Sequence, residues 1–139
     1  MPTTSPDAAR AETLSIAVEA DVVRVRQAVR TRAAALGFSI VDQTKVVTAA
    51  SELARNTLKH GGGGHCRVEP VTAGGRVGLR LVFEDQGPGI PDVRLALTDG
   101  YTTGGGMGLG LSGSRRLMTD FDLWSEVGKG TRVTVAKWK

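Results

Sequence analysis

At roughly 100–200 residues per domain, the 139 residues read as one domain, too short for a two-domain enzyme or an ordinary protein kinase. Hydrophobic residues make up 40% and charged residues 23%, the balance of a chain that buries a core and is not disordered. The formal charge of +4 suits an anionic ligand, while 4% aromatics and no basic run beyond Arg115-Arg116 argue against a nucleic-acid stacking platform. Residues 1–11 are polar with two prolines and are expected to form a loose tail before a domain over 12–139. They contain no apolar signal-peptide segment, and no apolar run in the chain approaches the roughly 18 residues of a membrane span, so a cytoplasmic protein with no membrane partner is expected.

Thr13 to Val18 alternates as a short strand. From Asp21 to Leu36, Val22, Val25, Val29, Ala33 and Leu36 step by three and four, which predicts an amphipathic helix capped by Asp21 and closed by Gly37. Its arginines, Arg24, Arg26, Arg30 and Arg32, are expected on the solvated face. A second helix is predicted from an Asp42 cap to about His60, with Glu52 and Asn56 one turn apart on one face. Strands follow at Cys66–Thr72 and Val77–Asp85, joined by a glycine hairpin. Cys66, the single cysteine, excludes an internal disulfide framework and is expected to be buried packing. In the second strand Val77, Leu79, Leu81, Phe83 and Asp85 fall on one face, so a carboxylate ends an apolar row. A weak helical stretch (Asp92–Leu97), a glycine loop, a helix (Leu111–Thr119) and a hairpin of two strands (Phe121–Val127, Thr131–Trp138) complete the chain.

Glycine is in excess: 19 residues, about twice the ordinary share, with seven from Gly100 to Gly113, four in Gly61–Gly64 and two beside Pro88. A glycine loop that opens a helix presents free N–H groups to an anion. The segment Gly108-Leu109-Gly110-Leu111-Ser112-Gly113 matches the dinucleotide count, but no strand precedes it. A P-loop is excluded as well, because Gly128-Lys129 is followed by Gly130.

Four separated pieces remain: Glu52-x-x-x-Asn56, Asp85-x-Gly87-x-Gly89, the run Gly104-Gly105-Gly106-Met107-Gly108-Leu109-Gly110-Leu111, and Gly128-x-Gly130-Thr131. In this order they resemble the four boxes of the GHKL ATPase fold, shared by gyrase, Hsp90, histidine kinases and MutL, from about Asp21 to Trp138. The stretches Ser51–Asn56, Glu84–Asp92, Asp99–Tyr101 and Ala136–Trp138 further resemble switch serine/threonine kinases of the RsbT type, relatives of anti-sigma factor kinases.

The resemblance implies an α+β, two-layer sandwich, with a mixed, mostly antiparallel sheet and helices on one face. It implies ATP and Mg²⁺ as cofactors, Asp85 and Thr131 at the adenine, Gly87 and Gly89 in the turn beneath it, Asn56 as the Mg²⁺ ligand and Lys59 near the phosphates. Glu52 becomes the general base, and Gly104, Gly105, Gly106, Met107, Gly108, Leu109 and Gly110 form a lid over the phosphates. The implied protein substrate is a STAS-domain antagonist, and the released kinase would bind and activate a PP2C-type phosphatase in a stress-response partner switch. The alternative is an anti-sigma factor of the same fold that sequesters a sigma factor. A homodimer is compatible with either. Gly61–Gly64 have no role in this scheme.

Overall fold

The computed structural model describes residues 11–98 and 110–139. Two long helices, α1 (Glu19–Ala35) and α2 (Ile40–Lys59), follow a short strand β1 (Glu12–Ile16). Then come β2 (Gly64–Ala73), β3 (Arg76–Asp85), a single-turn helix α3 (Val93–Ala96), α4 (Gly110–Leu117), β4 (Asp120–Glu126) and β5 (Gly130–Trp138). The sheet order is β1-β2-β3-β5-β4, and every pairing among the described strands is antiparallel. The expected α+β sandwich is present.

The periodicities place the core as expected. On α1, Val22, Val25, Val29 and Ala33 are buried, and on α2 Val46, Val47, Ala49, Ala50, Leu53 and Ala54 are. They meet Leu79, Leu81 and Phe83 of β3 and Val133 and Val135 of β5, which pair across the ladder as Phe83↔Val133 and Leu81↔Val135. Burying each of these large side chains contributes on the order of 1.5–3 kcal/mol. The opposite face of the sheet is polar and aromatic: Arg80 pairs with Glu69, Arg132 lies 5.4 Å over the Trp124 ring, and Trp138 Nε1 donates to Asp120 at 2.8 Å.

Three details differ from expectation. Asp21 is not the cap of α1. Val18 is, and Asp21 sits three residues on, where its carboxylate accepts the N–H groups of Ala17 (2.8 Å) and Val18 (3.0 Å) and pairs with Arg24. Together, first the Arg24 guanidinium and then the two N–H groups hold the Asp21 carboxyl down at about 2. Likewise Ser39, not Asp42, caps α2, its Oγ accepting the Asp42 N–H at 3.1 Å. Arg32 is 7% exposed and not on the solvated face; its Nε lies 3.3 Å from Glu12 Oε1 on β1. Among the described residues no helix is long and apolar enough to cross a membrane.

Candidate active site

The site begins where β3 runs out of apolar residues. Asp85 is the last residue of that strand, half-buried, and its Cα partner across the ladder is Thr131 of β5. Both belong to the core side of the sheet, continuing the rows Leu81-Phe83 and Val135-Val133. Asp85 Oδ1 accepts the Gly87 N–H at 2.9 Å, which bends the chain into the turn that holds Gly87 and Gly89. Among the described residues Oδ2 accepts nothing. An ionised carboxylate has only acceptor capacity, so Oδ2 is suited to a donor such as an amino group.

Close backbone approaches fix this turn. Gly130 has φ +114°, and a Cβ there would stand 2.2 Å from the Asp85 carbonyl oxygen. Gly89 has φ +79° and would place its Cβ 2.3 Å from the Glu126 carbonyl oxygen. No side chain fits either contact. The turn is also tied to the β4–β5 hairpin through Ser125, whose Oγ accepts the Ile90 N–H at 2.7 Å and lies 2.9 Å from Thr131 Oγ1.

Glu52 and Asn56 approach from α2. Glu52 is 8% exposed, and Arg55 Nη1 stands 3.7 Å from its Oε1, one turn along the helix. Asn56 is half-buried, and among the described residues its side-chain amide makes no hydrogen bond, which leaves Oδ1 as an uncommitted hard oxygen donor. Its backbone carbonyl accepts the N–H groups of His60 at 2.9 Å and Gly61 at 3.3 Å. Gly61 carries the chain onto the Asp85 turn: a Cβ on it would lie 2.3 Å from Asp85 Cγ, and a Cβ on Gly87 would lie 2.7 Å from the Gly61 Cα. The helix that holds Glu52 and Asn56 and the turn that holds Asp85 and Gly87 therefore meet at one glycine.

Six of the expected residues, Asn56, Asp85, Gly87, Gly89, Thr131 and, through its helix, Glu52, are thus brought to one end of the sandwich. Lys59 lies on the last turn of α2 and is exposed. Gly110 begins α4, whereas Gly104, Gly105, Gly106, Met107, Gly108 and Leu109 lie outside the described residues. From sequence Gly61 stands only as part of the unassigned run Gly61–Gly64, and Ser125 is not among the expected site residues. A signal existed for Ser125: it extends the row Phe121, Leu123 at period two and so places a hydroxyl where an apolar side chain is expected. For Gly61 the signal is the glycine run itself, but its role is not readable locally because its neighbour Asp85 is on another element.

Residues 41–139 match the histidine kinase-, DNA gyrase B- and HSP90-like ATPase family, to which the chain belongs. ATP use comes with that membership. Within the family, the chain is 48% identical over 123 residues to serine/threonine-protein kinase RsbT of Bacillus subtilis (strain 168), covering 88% of this chain and 92% of the relative. It is a serine/threonine protein kinase of that type. The solved RsbU and RsbW domains of Rv1364c from Mycobacterium tuberculosis share the fold, with a TM-score of 0.64 at 20% identity, over 92% of this chain and 31% of that longer one.

Proposed function

We propose that this kinase transfers the γ-phosphate of ATP to a serine or threonine of a STAS-domain antagonist protein, and that release from it lets the kinase bind and activate a PP2C-type phosphatase in a stress-response partner switch. The observation that carries this reading is the 48% identity to RsbT along 88% of the chain, with Glu52 and Asn56 a turn apart on α2. It favours the switch kinase over a sigma-factor-sequestering protein, for which the structural likeness supplies only a shared fold.

In this reading Asp85 Oδ2 accepts the adenine amino group and Thr131 supports the same edge, while the Gly87–Gly89 turn lies beneath the ring. Glu52 accepts the proton of the substrate hydroxyl as that oxygen attacks the γ-phosphorus. Arg55 balances the charge of the Glu52 carboxylate and fixes its orientation. Asn56 Oδ1 is the protein oxygen that fits Mg²⁺. Among the described residues no group of three or more His, Cys, Asp and Glu side chains forms an alternative cage. When bound, the ion would neutralise phosphate charge, with water and phosphate oxygens completing its shell. Lys59 and the glycine run Gly104–Gly110 are assigned to the phosphates by resemblance.

The test incubates the protein with Mg-ATP and STAS-domain proteins encoded beside its gene, and locates the phosphorylated residue by mass spectrometry. A phosphoserine or phosphothreonine on one of them, followed by loss of its complex with the kinase, is expected. Capture of a sigma factor, with no complex to a PP2C-type phosphatase, would assign the chain to the other branch.

A further inference from the structure

The Ser125 hydroxyl on β4 contacts three polar groups: the Ile90 amide nitrogen at 2.7 Å, the Gly130 carbonyl oxygen at 3.0 Å and Thr131 Oγ1 at 2.9 Å. An amide N–H only donates and a carbonyl only accepts, whereas each hydroxyl has one proton and two lone pairs. Ser125 therefore gives its single proton to Gly130 and accepts the proton of Ile90. The third contact is then a hydrogen bond only when Thr131 donates to Ser125. No other distribution of the two hydroxyl protons satisfies all three contacts.

We propose that Ser125 is a positioning residue for base specificity, holding the Thr131 proton away from the Asp85 edge so that Thr131 meets the purine as an acceptor only. The inference rests on reading the Asp85–Thr131 edge as the base site. Those two residues are direct partners in the β3–β5 ladder. With the Thr131 proton committed to Ser125, Thr131 Oγ1 and Asp85 Oδ2 both present lone pairs. The adenine amino group carries two N–H bonds and can satisfy both acceptors, directly or through water.

Hypoxanthine and guanine carry a carbonyl oxygen at that ring position, so acceptor would face acceptor. A free threonine hydroxyl would relieve the conflict by rotating to donate. Ser125 withholds that rotation, and the wrong base is left with an unpaired oxygen in a partly desolvated site. The glycines at the site reinforce the restraint, because Gly130, whose carbonyl takes the Ser125 proton, is pressed against the Asp85 backbone. The discriminating group thus acts through Thr131 and need not touch the nucleotide.

The experiment measures dissociation constants of ATP and inosine triphosphate by calorimetry for the full chain and for Ser125→Ala, Ser125→Thr, Thr131→Val, Thr131→Val/Ser125→Ala and Asp85→Asn. In Ser125→Ala the preference for ATP over inosine triphosphate is expected to fall about tenfold, the scale of one hydrogen bond. Ser125→Thr, which keeps a hydroxyl, is expected to retain the wild-type ratio. In the Thr131→Val background, adding Ser125→Ala is expected to leave the ratio unchanged. Equal weakening of both nucleotides in Ser125→Ala would overturn the proposal, since a merely structural hydroxyl moves both constants together. If Asp85→Asn binds ATP as the wild type does, the base-site reading falls and this inference with it. Loss of ATP binding in Asp85→Asn with an unmoved ratio in Ser125→Ala sinks the inference alone.

Discussion

The Cα of Gly61 rests against the carboxylate of Asp85, so closely that a Cβ would lie 2.3 Å from Asp85 Cγ. One of these residues follows the helix of Glu52 and Asn56, and the other ends a strand, so the contact sets the spacing between the two halves of the site. Gly61→Ala is expected to push the Asp85 side chain aside, lowering ATP affinity by about tenfold or more and destabilising the fold by about 1–3 kcal/mol, as overpacking does. Calorimetry and urea unfolding measure the two effects separately. An alanine variant that binds ATP as tightly as the wild type would show that the contact does not position Asp85.

Glu52 is 8% exposed and stands beside Arg55. Glu52→Gln keeps its shape and removes its basicity. ATP binding is expected to persist while phosphate transfer falls by about 10²–10⁴-fold, the usual worth of a general base. Radiolabel transfer to the substrate protein measures the second quantity, and wild-type turnover would take Glu52 out of the chemistry.

Acid sensitivity is expected at Asp21. Its carboxyl is held down at about 2 in the fold, against an ordinary 3.8, so between these values the unfolded chain binds more protons than the folded one. The stability its ionisation contributes is complete above about pH 4 and is lost as pH falls toward 2. Asp21→Asn should flatten that part of the curve of melting temperature against pH. A variant whose curve keeps the wild-type slope there would assign the acid transition to other carboxylates.

Cys66 has no exposed surface, and burial pushes its thiol up, with the Glu12 charge adding to the effect. It is expected to resist a thiol reagent at about pH 8 in the native protein and to react at once in denaturant. Rapid labelling of the folded chain would mean that β2 opens on the timescale of the reagent.

Much of this molecule was legible from local pattern. The spacing Val22, Val25, Val29, Ala33 and the alternation Leu79, Leu81, Phe83 each name a buried face without knowledge of what covers it. An acid serves equally at the cap and three positions later, where it also meets unpaired N–H groups, so sequence alone places both helix starts three residues late. Asp21 and Asp42 occupy the later position in both helices. The burial of Arg32 is not readable from its helix for a different reason: its partner, Glu12, comes from another element, and its long stem packs where a shorter charged chain would not. Gly61 meets Asp85 and Ser125 meets Ile90 across distant parts of the chain, which no window of sequence displays, while the Ser125 contacts to Gly130 and Thr131 lie within one hairpin but depend on its exact register. In the site, the residue types were readable while the joints between them were not.

β5, the last strand in the chain, occupies the slot between β3 and β4. A nascent chain emerges N-terminus first, so Asp85 is made well before the strand that brings Thr131 to its side. Until β5 inserts, Asp85 has no neighbour on that flank, and the Ser125 hydroxyl lacks two of its three partners. A ribosome-bound chain truncated before β5 therefore carries Asp85 without Thr131, and the two come together only once β5 has been made and has inserted between β3 and β4.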